Sequence, residues 1–357
     1  MLAPLFPSCQ ARTKRGVQKV VGKCSNIITY VPRPRARYLE DEDRLALLAR
    51  VASLYYEEDR SQREIAELMG ISRSGVSRLL SEAKRRGVVE IVVHHPLPTD
   101  PGLEIALIER FGLRDARVLA RPDPEYGRML SQLGRLAARY FEGLLEDGMT
   151  IGISWGSALY EMIRAIRPRR LTHTSVVQLI GATGAEATPE SGPILAQLLA
   201  ERLGCKSYQL HAPLVVRDER ARRALLAERH IRETLERARR ADVALVGIGT
   251  TQAGYYSLVR AGYLTEKEAE AIRKRGAVGD VCAQHYDLDG RRLPIELNRR
   301  VIGIDPEALQ AIDRVIGVAG GAVKAEAIYG ALKGGYVNVL ITDERAARRV
   351  LELAPKP

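Results

Sequence analysis

Residues 61–80 read SQREIAELMGISRSGVSRLL, and this stretch decides the fold of the N-terminal part of the chain. Ser61 and Glu64 have the spacing of a capping box, which predicts a helix that begins at residue 62. Gly70 is expected to end that helix, because a tight reversal needs a positive φ that glycine adopts at little cost. Ser72 is predicted to cap a following helix over 73–86. The stretch therefore predicts two short helices joined by a tight turn.

The second of these helices combines an apolar face with a face of serine and arginine. A preceding helix is predicted over 43–56. The side chains expected to form a shared core are Leu45, Leu48, Val51, Ala52, Tyr55, Ile65, Ala66, Leu68, Val76, Leu79 and Leu80. A short helix, a glycine turn and a second helix have the spacing of a helix-turn-helix motif, whose second helix enters the major groove of DNA.

The exposed face of that helix carries residue types that read DNA. Small serines allow close approach to base edges, and arginine can pair bidentately with guanine, which makes Arg73, Ser74, Ser77 and Arg78 the base-reading candidates. Basic residues at the far end suit phosphates. The predicted DNA-binding set is Ser61, Gln62, Ser72, Arg73, Ser74, Ser77, Arg78, Lys84 and Arg85. Residues 87–93, GVVEIVV, alternate like a strand and are expected to form a wing. The alternative is a helical bundle with a charged solvent face.

The charge of the chain is unevenly distributed. Of the net +11, residues 1–38 contribute eight Lys or Arg and no acid, so residues 1–39 are interpreted as a disordered basic tail. Residues 60–87 hold seven basic and three acidic residues, although 39–95 as a whole has a net charge of −2. Local clustering in the helix-turn-helix therefore favours DNA binding more strongly than the overall charge does.

Other features of the sequence bound the class of protein. The four cysteines of the 357 residues form no CxxC pair, and the histidines show no metal spacing, so neither disulfides, a metal site nor a cofactor is expected, and a reducing cytoplasm fits. No apolar run reaches the ~18 residues of a membrane helix, so no membrane partner is expected.

A proline-rich stretch predicts the boundary between two domains. Residues 94–102 read HHPLPTDPG. Because prolines resist helix and mark linkers, the chain is divided into a helix-turn-helix domain at 40–95, a linker at 96–102 and an effector domain at 103–357.

The effector domain alternates helix-like and strand-like segments. Helices are predicted at 103–111, 125–145, 157–166, 190–203, 218–239, 265–275, 321–332 and 344–353. Short Val- and Ile-rich strands are predicted at 116–120, 149–154, 175–180, 207–212, 242–249, 277–282, 314–321 and 336–342. This pattern indicates an α/β fold with a parallel sheet covered by helices on both faces. Ligands of such sheets bind beyond the carboxyl ends of the strands.

Several predicted strand ends carry residues suited to a phosphorylated sugar. In MTIGISWGSAL, a strand runs through a small-residue turn into a helix, where backbone N–H groups make a phosphate cradle. A carboxylate would bind hydroxyls and a lysine would bind negative charge. The candidates for this site are Ser154, Trp155, Gly156, Ser157, Gln178, Gly247, Gly249, Asp280, Gly320, Gly321 and Lys324.

With these motifs in place, residues 42–353 resemble the SorC-type bacterial transcriptional regulators, which carry a DeoR-like sugar-binding domain. The resemblance rests on SQREIAELMGISRSGVSRLL and on the later segments IGISWGSAL, VGIGT, GDVCAQHYDLDG and VAGGAVKAEAIYGALKGGYVNVLITDE. It implies a Rossmann-like effector domain similar to ribose-5-phosphate isomerase and glucosamine-6-phosphate deaminase, kept for sensing. It also implies a phosphorylated sugar effector, a dimeric or tetrameric homo-oligomer and a palindromic or repeated operator.

The resemblance also assigns parts of the site. It matches residues 154–158, and with them Ala158, to the phosphate loop of the family, and residues 247 and 249 to a floor loop. It matches Asp280 to a hydroxyl-binding acid and residues 320, 321 and 324 to the closing loop. Many members have threonine in the phosphate turn where this chain has Ser157 and Ala158. Phosphate binding is therefore expected to depend more on backbone N–H groups here.

The function predicted from the sequence is a non-enzymatic regulator of carbohydrate metabolism whose affinity for a double-stranded operator is set by a phosphorylated sugar. One alternative is an isomerase- or deaminase-like enzyme, in which Asp280 and Lys324 would serve acid–base or Schiff-base chemistry. Another is a DNA-binding protein without an effector.

Overall fold

The computed structural model describes residues 13–14, 17–18, 36–89, 97–182 and 189–355, and the side chains from residue 43 onward within those ranges. Strands β1 (Thr13–Lys14) and β2 (Val17–Gln18) pair antiparallel. The remainder of the predicted basic tail up to residue 35, and residues 90–93 of the predicted wing, lie outside the described residues. The chain divides into two compact units, Met1–His95 and Pro96–Pro357.

The first unit contains the predicted helix-turn-helix. Its helices are α1 (Ala36–Tyr56), α2 (Gln62–Met69) and α3 (Arg73–Arg85). Ser61 and Glu64 form both hydrogen bonds of a capping box, and Gly70 has a φ of 65° at the end of α2. The oxygen of Ser72 accepts from the N–H of Gly75 at the start of α3. The local sequence signals therefore place both helix ends as expected.

The core of this unit differs from the prediction at two leucines. Leu48, Val51, Ile65 and Val76 are fully buried, but Leu68 is 55 % exposed and Leu45 is 38 % exposed. Leu68 was expected on the buried face of α2. At 3.6 residues per turn it lies away from the direction shared by Ile65 and Ala66, and Met69, four residues after Ile65, packs against the core instead.

The second unit is an alternation of strands and helices. Its strands are β3 (Asp115–Leu119), β4 (Thr150–Ile153), β5 (Ser175–Gln178), β6 (Lys206–Tyr208), β7 (Val243–Thr250), β8 (Gly279–Val281), β9 (Gln284–Tyr286), β10 (Arg314–Val318) and β11 (Val339–Asp343). Its helices are α4 (Pro101–Phe111), α5 (Tyr126–Glu142), α6 (Ser157–Ala165), α7 (Gly192–Leu203), α8 (Glu219–Ala227), α9 (Arg229–Arg239), α10 (Ser257–Arg260), α11 (Glu266–Lys274), α12 (Glu296–Arg300), α13 (Pro306–Gln310), α14 (Ala325–Lys333) and α15 (Glu344–Leu353). A 3-10 turn, Ala322–Lys324, precedes α14.

Seven of these strands form a parallel sheet in the order β3-β11-β10-β7-β4-β5-β6. Strand β8 was expected to belong to the parallel set. It pairs antiparallel with the end of β7 instead, and β9, which was not predicted, pairs antiparallel with β8. The β8–β9 hairpin therefore stands beyond the carboxyl end of β7.

Helices cover both faces of the sheet, as expected for the α/β class. Apolar side chains of α5, α6 and α7, such as Leu133, Leu159 and Leu199, share one buried cluster with one face. Side chains of α4, α11, α14 and α15 belong to the cluster on the other face. The predicted fold class is thereby confirmed in its helical N-terminal motif and its parallel-sheet domain.

The predicted linker at 96–102 is wrong in its second half. Asp100 caps α4 through a bond from the N–H of Leu103, and Pro101 occupies the first helical position. The N–H of Asp100 also donates to the carbonyl of Val118 in β3, at 2.9 Å. Proline lacks only a donor that the first turn of a helix leaves unused, so Pro101 begins a helix instead of breaking one.

Within the part of the chain that the structure describes, no helix has the combination of length and apolar character needed to cross a membrane.

Candidate functional site

The outer face of α3 is open to solvent. Arg73, Ser74, Ser77 and Arg78 are all exposed. Neither Arg73 nor Arg78 lies in an ion pair with any carboxylate of the described residues, and the Nε of Arg78 donates to the carbonyl of Ser74 at 3.3 Å. Both guanidinium groups are therefore available for an external acceptor such as a base edge or a phosphate.

The serines at the helix starts have partners within the motif. The hydroxyl of Ser61 donates to Glu64 at 2.7 Å, and Ser72 accepts from Gly75 and lies 3.0 Å from the hydroxyl of Ser74. These two serines fix where the helices begin, and Gln62 beside them is half-buried. The structure therefore shows these serines as helix caps.

The negative charge of Glu82 in α3 is balanced by arginines of the same unit. Glu82 accepts from the Nε of Arg44 in α1 at 3.2 Å and lies 3.6 Å from Arg86. The hydrogen bond from Arg44 is the main reason that the pKa of Glu82 lies below its usual value. Lys84 lies over the ring of Tyr56, and Arg85 is exposed. The end of α3 thus presents positive charge.

A second site lies at the centre of the sheet in the other unit. Strands β4 and β7 are neighbours, but the chain continues from β4 towards β5 on one side and from β7 towards β10 on the other. The carboxyl ends of such diverging strands leave a crevice where ligands of open α/β sheets bind.

A cavity of about 70 Å³ occupies this crevice. Eight of the residues predicted for the site line this cavity: Trp155, Gly156, Ser157, Ala158, Gly247, Gly249, Asp280 and Lys324. The cavity is also lined by six residues that the sequence analysis did not predict: Tyr126, Ile248, Tyr255, Ser257, Arg260 and Val318. Since one water needs ~10–15 Å³ of such space, the cavity has room for several waters or a compact polar ligand.

The turn between β4 and α6 forms one wall of the cavity. Gly156 has a φ of 124°, and its N–H donates to the carbonyl of Glu190 at 3.1 Å. Helix α6 begins at Ser157, and no side chain of the described residues caps it. Its first N–H groups and the positive end of its dipole therefore face the cavity and favour an anion.

Asp280 also lines the cavity and carries an unsatisfied acceptor. The residue is 3 % exposed, its Oδ2 accepts from the N–H of Ala283 at 3.2 Å, and its Oδ1 has no hydrogen-bond partner among the described residues. Asp280 pairs with Gly249 across β7 and β8, and a Cβ at Gly249 would lie 2.1 Å from Oδ1. Burial raises the pKa of Asp280. A ligand hydroxyl would supply the missing donor.

Two cationic side chains line the same cavity. The Nζ of Lys324 donates to the carbonyl of Ile248 at 2.7 Å, which leaves two of its N–H groups for a ligand. Burial lowers the pKa of Lys324 to about 8, against the opposing influence of Asp280. Arg260 is exposed at the cavity and forms no ion pair with the described carboxylates. Together they provide positive charge near the start of α6.

Four predicted effector residues lie outside the lining. Ser154 is buried and its hydroxyl accepts from the N–H of Gly247 at 3.3 Å. Gln178 is also buried, where it donates to the carbonyl of Ile180 and accepts from the N–H of Leu210.

The remaining two of the four are glycines that shape the backbone after β10. A Cβ at Gly320 would lie 2.7 Å from Asp343, and the N–H of Gly321 donates to that same carboxylate. The structure thus gives Ser154, Gln178 and Gly321 hydrogen-bond partners within the protein, and it leaves no room for a side chain at Gly320.

Two tyrosines complete the rim of the cavity. Tyr126 at the start of α5 and Tyr255 before α10 touch edge to face, with ring centroids 6.0 Å apart. Tyr255 and Arg260 come from a stretch without helical or strand periodicity, so the sequence carried no signal for them. Tyr126 was within a predicted helix, but nothing in that pattern indicated that its first turn faces a ligand.

Comparison with protein families divides the chain in the same way. Residues 97–352 match a family described as a putative sugar-binding domain, and residues 51–96 match the MarR family.

Curated proteins of similar sequence are transcriptional regulators by name. The chain is 36 % identical over 311 residues to the deoxyribonucleoside regulator of Bacillus subtilis (strain 168), which covers 87 % of this chain and 99 % of that protein. It is 30 % identical over 316 residues to the sorbitol operon regulator of Klebsiella pneumoniae, covering 88 % of this chain and all of that protein.

Solved structures give the same result. Full-length SorC, the sorbitol operon regulator of Klebsiella pneumoniae, matches with a TM-score of 0.65 at 29 % identity, covering 87 % of this chain and 99 % of that one. The putative sugar-binding domain of a transcriptional repressor from Vibrio fischeri matches with a TM-score of 0.65 at 31 % identity, covering 71 % and 99 %.

Proposed function

Since this chain belongs to the SorC-type family of bacterial transcriptional regulators, we propose that its operator affinity is set by a phosphorylated sugar bound in the cavity at the ends of β4 and β7. Its relatives include regulators named for deoxyribonucleosides and for sorbitol. We infer that the effector of this chain is a phosphorylated member of the polyhydroxylated compounds to which these names refer.

One observation supports a phosphorylated sugar as the ligand. Within the described residues, the cavity combines a helix start that no side chain caps and two cations with a buried carboxylate oxygen that accepts no hydrogen bond. The helix start, Lys324 and Arg260 suit a phosphate, because charge-assisted hydrogen bonds are the strongest polar contacts. Asp280 suits a hydroxyl group. A phosphorylated sugar is a compact molecule that satisfies both requirements.

The ligand is tested by fluorescence of Trp155, because it is the single tryptophan of the chain and lines the cavity. The panel is ribose 5-phosphate, deoxyribose 5-phosphate, glucosamine 6-phosphate and sorbitol 6-phosphate, with each unphosphorylated parent as control. We expect a saturable change with at least one phosphorylated member and a weaker change with its parent. Equal affinity for sugar and sugar phosphate would contradict the role of the cations. No response to any member, together with an unchanged melting temperature, would contradict the effector class.

The DNA-binding role is assigned to the exposed face of α3. Arg78→Ala is expected to reduce operator affinity by ~1–3 kcal/mol if it pairs with a guanine, and to relax preference at one base pair. Arg50→Ala, at an exposed position of α1, serves as the matched control. Operator binding is measured by fluorescence anisotropy on a fragment obtained by selection. Equal losses for both variants on all sequences would indicate a general charge effect instead of base reading.

An enzymatic role is the second candidate, because Asp280 and Lys324 line one cavity and both have shifted pKa values. The relatives are named as regulators, which favours sensing over turnover. Release of product from ribose 5-phosphate or glucosamine 6-phosphate by the purified protein would support the enzyme, and its absence with retained binding would support the regulator.

The regulator is expected to act in the cytoplasm as a dimer or tetramer on a two-fold or repeated operator, since paired recognition helices bind half-sites ~34 Å apart. Light scattering of the protein alone and with operator DNA measures the number of chains. A monomer bound to a single half-site would contradict this assembly.

A further inference from the structure

Behind the cavity, the side chains of Tyr256, His285 and Asn298 form one hydrogen-bonded chain in the protein interior. His285 is 0 % exposed and Tyr256 is 2 % exposed. The hydroxyl of Tyr256 bonds to the Nε2 of His285, whose Nδ1 lies 3.1 Å from the Oδ1 of Asn298. These three residues do not belong to the cavity lining, so a direct effector contact does not explain them.

Backbone groups fix the orientation of the Asn298 amide, and through it the tautomer of His285. The Nδ2 of Asn298 donates to the carbonyls of His285 and Leu293, each at 2.9 Å, so the other amide atom is an oxygen. That oxygen accepts from the backbone N–H of His285 at 2.8 Å and from Nδ1–H. Burial lowers the pKa of His285, which favours the neutral ring. With the proton on Nδ1, Nε2 of the neutral ring is an acceptor, and the Tyr256 hydroxyl donates to it.

Tyr256 is in the segment that forms one wall of the cavity. The residues on either side of it, Tyr255 and Ser257, line the cavity, as does Arg260 at the end of α10. Leu258 is fully buried and anchors the segment by packing. The bond from Tyr256 to His285 adds a directional contact between this segment and β9.

The strand that holds His285 also belongs to the hairpin that carries Asp280. His285 and Asp280 are directly opposite each other in the β8–β9 pair, so their side chains lie on the same face. The turn of the hairpin has Cys282 at a φ of 52° and Ala283 at a φ of 60°, a conformation strained for residues other than glycine. Such strain persists where the surroundings determine the backbone, which fits a hairpin held in place for a ligand.

We propose that His285 is a positioning residue for effector binding, which acts through Tyr256 to hold the 255–260 wall at a fixed place relative to Asp280. This inference rests on the proposed function, because it concerns the same cavity. A buried polar chain has little net advantage in stability over apolar side chains of similar shape. A directional chain does fix ring orientation, and binding groups need such support from behind.

Two substitutions at residue 285 distinguish the position of the hydrogen-bond acceptor from the polarity of the side chain. In His285→Gln the amide reaches the position of Nε2 and can still accept from Tyr256. In His285→Asn it stops near the position of Nδ1 and leaves the tyrosine without an acceptor. Tyr256→Phe removes the hydroxyl and keeps the ring. All three are titrated by Trp155 fluorescence with the member of the sugar phosphate panel that the wild type binds most tightly.

We expect His285→Asn and Tyr256→Phe to weaken effector binding about three- to tenfold, as the loss of one net hydrogen bond predicts, and His285→Gln to stay within about twofold of wild type. Operator affinity without effector should be unchanged in all three. Equal effector affinity in wild type and Tyr256→Phe would overturn the inference, as would a glutamine variant as weak as the asparagine one. If His285→Asn does not fold, Tyr256→Phe decides alone. If the wild type binds no member of the panel, the proposed function fails before this inference is reached.

Discussion

At the residue scale, the pair Gly249 and Asp280 shows why the cavity has its shape. A side chain at residue 249 would occupy the place of the Asp280 carboxylate, so the glycine makes space for the acid. The acid in turn keeps one oxygen without a partner among the described residues. The protein thus holds a desolvated acceptor that an effector with a hydroxyl group can satisfy.

Removing the charge of Asp280 should stabilise the effector-free protein at neutral pH. Burial raises the pKa of this carboxyl, so its ionised form carries an energetic cost in the folded state above that pKa, and the cost disappears as the pH falls and the folded state binds the proton. Asp280→Asn should therefore raise the melting temperature at pH 8 by about 2–4 °C, which corresponds to ~1 kcal/mol in a domain of this size. The gain should shrink towards pH 4.

The control is Asp43→Asn at an exposed position, which should change little. Thermal unfolding monitored by circular dichroism from pH 4 to pH 8 measures both variants. A loss of stability for Asp280→Asn at pH 8 would mean that Lys324 compensates the carboxylate fully. Asp280→Asn should also bind the effector more weakly than the wild type does.

Lys324 should make effector binding depend on pH. Because burial lowers the pKa of Lys324 to about 8, half of the ammonium groups have lost their proton near that pH in the effector-free protein. Affinity for a sugar phosphate should fall above about pH 8 in the wild type, and Lys324→Gln should lower affinity at pH 7 at least tenfold, in line with ~1.5–3 kcal/mol for a charged hydrogen bond. Lys333→Gln, at the exposed end of the helix α14 that follows Lys324, is the control. A pH profile that is the same in wild type and Lys324→Gln would assign the phosphate to other groups.

Several residues that line the cavity were predicted from their type and from their place after a strand. They are the small-residue turn at 155–158, Asp280 and Lys324, and their contact with an effector stays a prediction. Gln178 has the polarity of a ligand contact, yet its amide satisfies two backbone groups in the interior. Arg260 could not be found, because an arginine in an irregular stretch looks like any other surface arginine.

At the element scale, the helix-turn-helix was predictable because its boundaries depend on residues within three positions of each other. The capping box, the glycine turn and the second cap are all present in the structure. The faces of the helices were less certain, as Leu68 shows.

Gly70 should be required because of its positive φ, since a side chain at this position would not clash with any neighbour. Its φ is 65°, and a Cβ there would meet nothing within 4 Å. Gly70→Val should therefore destabilise the first unit by about 1–2 kcal/mol through backbone strain, and Gly70→Asn should cost much less, because asparagine tolerates the left-handed region. Thermal unfolding and operator affinity measure the effect. Equal destabilisation by both would point to lost glycine flexibility instead of φ.

Among the elements of the second unit, long helices and the parallel strands were predictable, and short elements were not. The helices α10, α12 and α13 have four or five residues each, which is too short for a periodic signal. The β8–β9 hairpin turns at Cys282 and Ala283, which lack the glycine or asparagine of a typical two-residue turn.

At the scale of the whole molecule, two compact units divide reading of DNA from binding of effector. An effector changes operator affinity only if it binds one state of the protein better than another. This coupling has to be the same in both directions.

The effector and the operator should therefore change each other's affinity by one factor. If an effector weakens operator binding twentyfold, saturating operator should weaken effector binding twentyfold. Trp155 fluorescence gives the effector affinity with and without DNA, and anisotropy gives the operator affinity with and without effector. Factors that differ beyond error would mean that the two ligands do not act on one shared equilibrium.

The sequence by itself determined the helix-turn-helix, the α/β class and the turn after β4, because caps, turns and periodicity depend on neighbours along the chain. Only the tertiary structure decided which strand ends meet, and it brought Tyr126, Tyr255 and Arg260 to a cavity shared with Asp280 and Lys324. It also turned β8 back against β7 and joined His285 to Tyr256 in the segment that lines the cavity. Those contacts join residues that are far apart in the chain, and side-chain packing, which no local pattern encodes, determines them.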